Sequence, residues 1–229
     1  MKETVSFLRA AGWVSPEDLS FPLVIIGCGA VGSNVALCAA KMGFSNFVLY
    51  DNDEVEAHNL PNQTYEISHI GMPKVQALEE ILKRFNPEIR VEGHNSLFTE
   101  ANASALQGFV VIATDNMVSR KFLIEMCTFN CLVDGLFEAR LGFDYGEVNI
   151  VNPLSVIDCD NFKNGLKDDK DIPEGPCNLR ICATLVGIVT SHLVHQMCAA
   201  VVAKKTSEDW KYKRKNIFNL TPILTHVTL

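Results

Sequence analysis

The chain has 229 residues, 48% of them hydrophobic and 21% charged, with a formal net charge of −7. That composition belongs to a folded globular chain, long enough for one large α/β domain, and it excludes a disordered one. The negative charge argues against general affinity for nucleic acid or for an anionic membrane. Any phosphate ligand therefore has to be held locally, by backbone amides and a few cations.

In chain order, the apolar run 23–26 predicts a first strand. It leads into Gly27-Cys28-Gly29-Ala30-Val31-Gly32 and a helix over 31–42. A second strand, 47–50, ends at Asp51, and a polar loop follows through Tyr65. Val75, Leu78, Ile81 and Leu82 give the apolar stripe of a helix over 73–84, which Pro87 stops. A third strand at 89–93, a short helix at 100–106 and a fourth strand at 109–113 come next. The chain then passes Thr114-Asp115-Asn116, a helix at 120–129 and a strand at 131–133. Alternation over 142–151 predicts an antiparallel strand with Gly146 as a bend. Residues 152–178 read as a polar surface loop. A long helix at 183–203 and a strand or strand pair at 216–227, broken at Pro222, complete the chain.

Strands alternating with helices predict a Rossmann-like, mostly parallel sheet with helices on both faces and antiparallel strands in the C-terminal part. We expect one domain over 1–229, with residues 22–135 as the nucleotide-binding half and 136–229 as the C-terminal half. The long helix carries Thr184, Thr190, Ser191, His192, His195 and Gln196. These are costly in lipid, so a core helix is expected rather than a membrane span. It is apolar almost all round, which calls for burial on more than one side and suggests a homodimer. The eight cysteines follow no apolar leader, and several (Cys28, Cys38, Cys127, Cys198) lie in apolar or helical stretches. Free thiols in a reducing, cytoplasmic compartment are expected.

The glycine turn sits where a strand hands over to a helix, so backbone N–H groups and the helix dipole converge on a phosphate. Gly27 permits the tight turn, Gly29 lets backbone approach ligand, and Gly32 lets helix and strand pack. Asp51, nineteen residues past Gly32, is placed to hold a ribose hydroxyl. Together these features indicate an adenine nucleotide without saying which. Other polar groups recur where parallel strands end: Asp51-Asn52-Asp53, the loop from His58 to Gln63, Lys74 at a helix start, and Asp115 with Asn116 and Arg120. They offer a ribose carboxylate, a cation for phosphate and a carboxylate for magnesium.

With these motifs in order, the sequence resembles the ThiF/MoeB family of ubiquitin-activating-like adenylyltransferases over roughly residues 22–203. The resemblance rests on the glycine turn with Asp51, on Asn59-Leu60-x-x-Gln63, on Gly71-x-Pro73-Lys74-Val75 and on Thr114-Asp115-Asn116-x-x-x-Arg120. Asp134-Gly135 also fits. It implies ATP and Mg2+ as cofactors, and activation of the C-terminal carboxylate of a ubiquitin-like or sulfur-carrier (β-grasp) protein as an acyl-adenylate. It assigns Asp51 to the ribose, Asn59, Gln63 and Lys74 to the phosphates and Asp115 to magnesium, with Asp53 and Asn116 in the nucleotide site. Read without the family, Lys74 fits a solvated helix-start lysine, Asp115 a helix N-cap, and Arg120 a loop brace or a ligand contact.

Three departures stand out. Asn62 occupies the place of an arginine in the family pattern N-L-x-R-Q. Arg9 is the only arginine before the first strand, where relatives often carry an arginine-rich segment. The two C-x-x-C pairs of zinc-binding relatives are absent, so structural zinc is not expected. Cys159 and Cys177 are the candidates for a thioester, and His192 and His195 read as core or interface residues. Two alternatives remain: a non-catalytic nucleotide- or partner-binding relative, favoured by Asn62, and an NAD-dependent oxidoreductase, which shares the glycine turn.

Overall fold

Runs of β-branched and aromatic residues decide where the central strands form. β1 (Leu23–Ile26), β2 (Asn46–Tyr50) and β4 (Gly108–Ile112) are buried along nearly their whole length, as parallel strands covered on both faces must be. β3 (Arg90–His94) is charged and mostly exposed, and it forms the sheet edge, where charge discourages further pairing. The computed structural model describes residues 5–10, 12–142, 144–166, 183–208, 212–220 and 225–228. Its sheet has eight strands in the order β3-β2-β1-β4-β5-β6-β7-β8. Pairing is parallel from β3 to β5 (Val133–Leu141). It is antiparallel through β6 (Tyr145–Val151), β7 (Lys215–Asn219) and β8 (Thr225–Thr228).

Helices cover both faces. α1 (Ala30–Met42), α2 (Lys74–Phe85) and α5 (Ala183–Thr206) share one core, while α3 (Met117–Cys127) and α4 (Val156–Asn164) share the other. Register then positions the site. Ile26 lies beside both Tyr50 and Ile112, so Gly27, Asp51 and Ala113 leave their strands at one level. Glu138 lies beside Ile112 one strand further on.

Several expectations change. The strand read at 131–133 starts at Val133 and continues for nine residues, because Leu136 to Ala139 are buried between the helical layers. The helix read from Arg120 starts at Met117. The polar loop read at 152–178 instead opens with α4, whose Ser155 side chain accepts from the Asp158 N–H while Cys159 and Phe162 enter the core. Residues 167–178 lie outside the described residues. β6 is buried on both faces rather than alternating. Gly146 is a point of close approach, not a bend: a Cβ there would lie 2.5 Å from Val189 Cγ2 of α5. α5 itself exposes Thr184, Gly187, Ser191 and His195 along an outer strip, so within this chain it is buried on one side. That strip is small and polar, which corrects the reading of a helix apolar almost all round.

Candidate active site

Three glycines after β1 do different jobs. Gly27 has φ +96°, and a Cβ there would lie 2.5 Å from the Ala113 carbonyl oxygen. Its N–H donates to the Tyr50 carbonyl at 2.8 Å, tying the turn to β2. A Cβ on Gly32 would lie 1.8 Å from the Gly27 oxygen, so only glycine lets α1 start this close to β1. Around Gly29 nothing lies within 4 Å of the Cβ position. The space faces the first turn of α1, where the N-cap position, Gly29, makes no side-chain hydrogen bond. An open backbone at the positive end of a 13-residue helix is the arrangement an anion requires.

Asp51 stands beside this turn. Its Oδ2 accepts from the Cys28 N–H at 2.6 Å and its Oδ1 from the Asp53 N–H at 2.8 Å. Burial pushes its carboxyl above the usual range, against the pull of the Cys28 N–H and of Lys74. Each oxygen keeps a lone pair for a ribose hydroxyl. Lys74 is buried, with Nζ 2.7 Å from Asp53 Oδ2 and its own N–H on the Asp53 carbonyl. It is thus a paired cation rather than a solvated one. Tyr65, which no motif singled out, donates its hydroxyl to the Cys28 carbonyl at 2.7 Å and joins the loop after Gln63 to the glycine turn.

The 57–65 loop is stapled to α1. Asn34 Nδ2 donates to the Asn62 carbonyl at 2.9 Å, and the Thr64 N–H donates to Ser33 Oγ at 3.3 Å. Asn59 organises the loop from within: Oδ1 accepts from the Glu56 N–H at 2.9 Å, and its carbonyl accepts from Gln63 N–H at 3.0 Å. Gln63 Oε1 and Thr64 Oγ1 are buried with no hydrogen-bond partner. An unpaired buried carbonyl oxygen costs about 1–3 kcal/mol, so this oxygen fits a ligand hydroxyl, while a contact to phosphate would come from the Gln63 amide N–H groups.

Asp115 is exposed at the end of β4, and among the described residues its Oδ1 takes a 3.3 Å contact from Asn116 Nδ2. It does not cap the next helix. Asn116 does, accepting from the Ser119 N–H at 2.8 Å. Arg120 is the loop brace: Nε and Nη2 donate to the Thr114 carbonyl at 3.1 and 2.5 Å, and Nη1 pairs with Glu138. Glu138 was not singled out from sequence. Its only signal there was a charge inside an apolar stretch.

The remaining candidates lie apart. Cys159 is buried, its thiol against the Pro153 carbonyl at 3.6 Å, so it is closed to an acyl group in this conformation. Cys177 lies outside the described residues. His192 sits against Phe218 and His226, and His195 stacks on Trp13 at 4.8 Å. Arg9 is exposed. Among the described residues no group of three or more His, Cys, Asp or Glu is placed to hold a metal. Asp115 as a single carboxylate fits a magnesium ion that keeps its other ligands from phosphates and water.

The ThiF family model matches residues 19–226. Over 109 residues the chain is 33% identical to the molybdopterin-synthase adenylyltransferase of Escherichia coli, covering 46% of this chain and 44% of that protein. Over 76 residues it is 36% identical to ubiquitin-like modifier-activating enzyme 5 of Gallus gallus, covering 33% of this chain and 19% of that one. The chain thus spans less than half the length of these curated relatives. Among solved structures, E. coli MccB with ATP superimposes with a TM-score of 0.73 at 16% identity, covering 96% of this chain and 69% of that chain. At that identity the likeness concerns the fold.

Proposed function

Because this chain belongs to the ThiF family, we propose that it is an ATP-dependent adenylyltransferase activating the C-terminal carboxylate of a β-grasp protein. The observation that carries this is the open backbone at Gly29, the N-cap of α1, two residues past the level of Asp51. It is supported by names among the relatives that include adenylyltransferase and ubiquitin-like modifier-activating enzyme.

In this reading Asp51 holds the ribose, and the phosphates lie over Gly29 and the start of α1. Lys74 exchanges Asp53 for phosphate oxygens, and Gln63 completes the phosphate-side contacts on a loop shaped by Asn59. Asp115 holds Mg2+, which supplies charge neutralisation on the phosphates. Asp53 and Asn116 line the site through Lys74 and through the cap of α3. The substrate carboxylate attacks the α-phosphorus, the bond to the bridging oxygen breaks, and pyrophosphate leaves. The nucleophile is already ionised, so no protein base is needed; positioning and charge neutralisation carry the catalysis. We place the reaction in a reducing cytoplasm, a setting supported by six free cysteines among the described residues. A homodimer with α5 at its interface is part of the same proposal.

Pyrophosphate exchange into ATP, with Mg2+ and a panel of β-grasp proteins ending in a free carboxylate, is the test. We expect metal-dependent exchange with one of them, and loss of about 100-fold or more in Asp115→Ala, the scale of removing one group that stabilises developing charge. Mg·ATP should also raise the melting temperature more than NAD does. Equal shifts from both, untouched by Asp115→Ala, would overturn the reading. Asn62 favours a second reading, in which nucleotide is bound and not turned over. Stabilisation by Mg·ATP without exchange for any carboxylate would select it.

A further inference from the structure

Two imidazoles and a carboxamide, none of them assigned to the nucleotide, meet between α5 and the last two strands. His226 lies opposite Phe218 in the β7–β8 ladder and stacks on its ring at 4.5 Å. His192 of α5 packs against both, its ring centre 5.2 Å from that of Phe218 and 5.3 Å from that of His226. Asn216 is two residues before Phe218 and so on the same face of β7. Its Oδ1 lies 3.3 Å from His226 Nε2. The amide is buried, and its Nδ2 donates to the Lys213 carbonyl at 3.2 Å, which holds the oxygen towards the imidazole. Asn216 also bears on the His192 ring.

His192 is the unsatisfied member. Its Nε2 is buried without a hydrogen-bond partner. A ring nitrogen left that way is unfavourable, and a phenyl ring would pack against Phe218 as well. Burial, with His226 and His195, pushes the His192 pKa down to about 4, so at neutral pH the ring keeps a free lone pair. The spacing of the two rings is that of a shared ion. With metal–nitrogen bonds of ~2.0–2.1 Å and tetrahedral angles, two imidazole centres lie about 5 Å apart. β8 is exposed along its length, so an ion can reach His226 from solvent.

We propose that His192, His226 and Asn216 form a site for one divalent ion of the zinc class, bound by two imidazole nitrogens and the carboxamide oxygen, with water in the fourth position. Imidazole ligands select Zn2+, Ni2+ or Cu2+ over Mg2+ and Ca2+, which take oxygen. The ion clips β8, the last strand of the sheet, to α5. The site shares no residue with the nucleotide end and does not depend on the adenylation reading.

Zn2+ titrated calorimetrically into the chelator-treated full chain, without nucleotide, tests it, with Co2+ as a spectroscopic stand-in. We expect one equivalent of Zn2+ to bind and to raise the melting temperature, and Co2+ to absorb without a thiolate charge-transfer band. Losing a ligand costs at least what losing an outer-shell partner does, so His192→Gln and His226→Gln should each weaken Zn2+ about tenfold or more. His195→Gln, one turn further along α5, should bind Zn2+ like the parent. His226 is exposed on its strand, so His226→Gln decides the matter if His192→Gln folds poorly. Absence of Zn2+ binding overturns the proposal, as does a thiolate band or an affinity unchanged in His226→Gln. Loss of binding in His195→Gln would place the ion on α5 alone and overturn it too.

Discussion

A methyl group added at Gly29 and one added at Gly32 have opposite consequences, although the residues are three apart. At Gly32 the methyl would sit 1.8 Å from a backbone oxygen that has nowhere to go. We expect Gly32→Ala to cost roughly 3 kcal/mol or more, the upper range of overpacking. That is a fall of roughly 6–12 °C in melting temperature for a domain of this size. At Gly29 the methyl meets nothing, so Gly29→Ala should melt within about 2 °C of the parent while losing most of its stabilisation by Mg·ATP. Thermal melts with and without Mg·ATP check both. A Gly29→Ala protein that responds fully to ATP would remove the phosphate from this turn.

Elements in the C-terminal half are set by what covers them. β6 carries a glycine because α5 crosses it there, with Val189 and Leu185 within 3.1 Å of the Cβ position. Gly146→Ala should push α5 off the sheet at a cost of about 1–3 kcal/mol, read as a lower midpoint in urea. Val189→Ala in the same chain should restore part of it, because the clash is with a side chain. If Gly146→Ala is neutral, the approach of α5 to β6 is looser than this geometry. α4 follows the same logic: its polar sequence hides two core contacts, Cys159 and Phe162, that only a helix brings to one face.

At the scale of the whole molecule, His192 joins α5 to the last two strands. Burial, then His226 and His195, push its pKa down to about 4, and its Nε2 is buried without a partner. The folded chain therefore holds this ring neutral, while the unfolded chain takes a proton near pH 6.5. The stability it supports is complete above about pH 6.5 and is lost as pH falls towards 4. The melting temperature should drop across that window, and His192→Gln should flatten the drop. A slope identical in the two proteins would assign the acid sensitivity to other groups. The homodimer belongs to this scale too. The proposed homodimer would set the exposed strip of α5, with the half-buried Ile188 and Val202 beside it, against a second copy. Sedimentation at micromolar concentration should show a dimer, and a monomer that retains exchange activity would remove both the interface and any arginine acting across it.

The sequence by itself determined the parallel core and the end of the sheet where the glycine turn and Asp51 meet. Apolar runs of four or five residues, Gly27, Gly29 and Gly32, and Asp51 are local signals, because strand burial, tight turns and helix starts are decided within a few residues. Lys74 and Asp115 were legible for the same reason, each standing directly at the end of a strand or the start of a helix. Only the tertiary structure decided what those groups touch. Lys74 is buried on Asp53, Arg120 is turned from a possible ligand contact into a brace, and Tyr65 and Glu138 enter the site unannounced. The partners Asp53, Thr114, Glu138 and Cys28 lie 6 to 37 residues away along the chain. Whether a charge is solvated, paired or left waiting for a ligand depends on which strands lie side by side, and that information is carried by register and packing rather than by spacing along the chain.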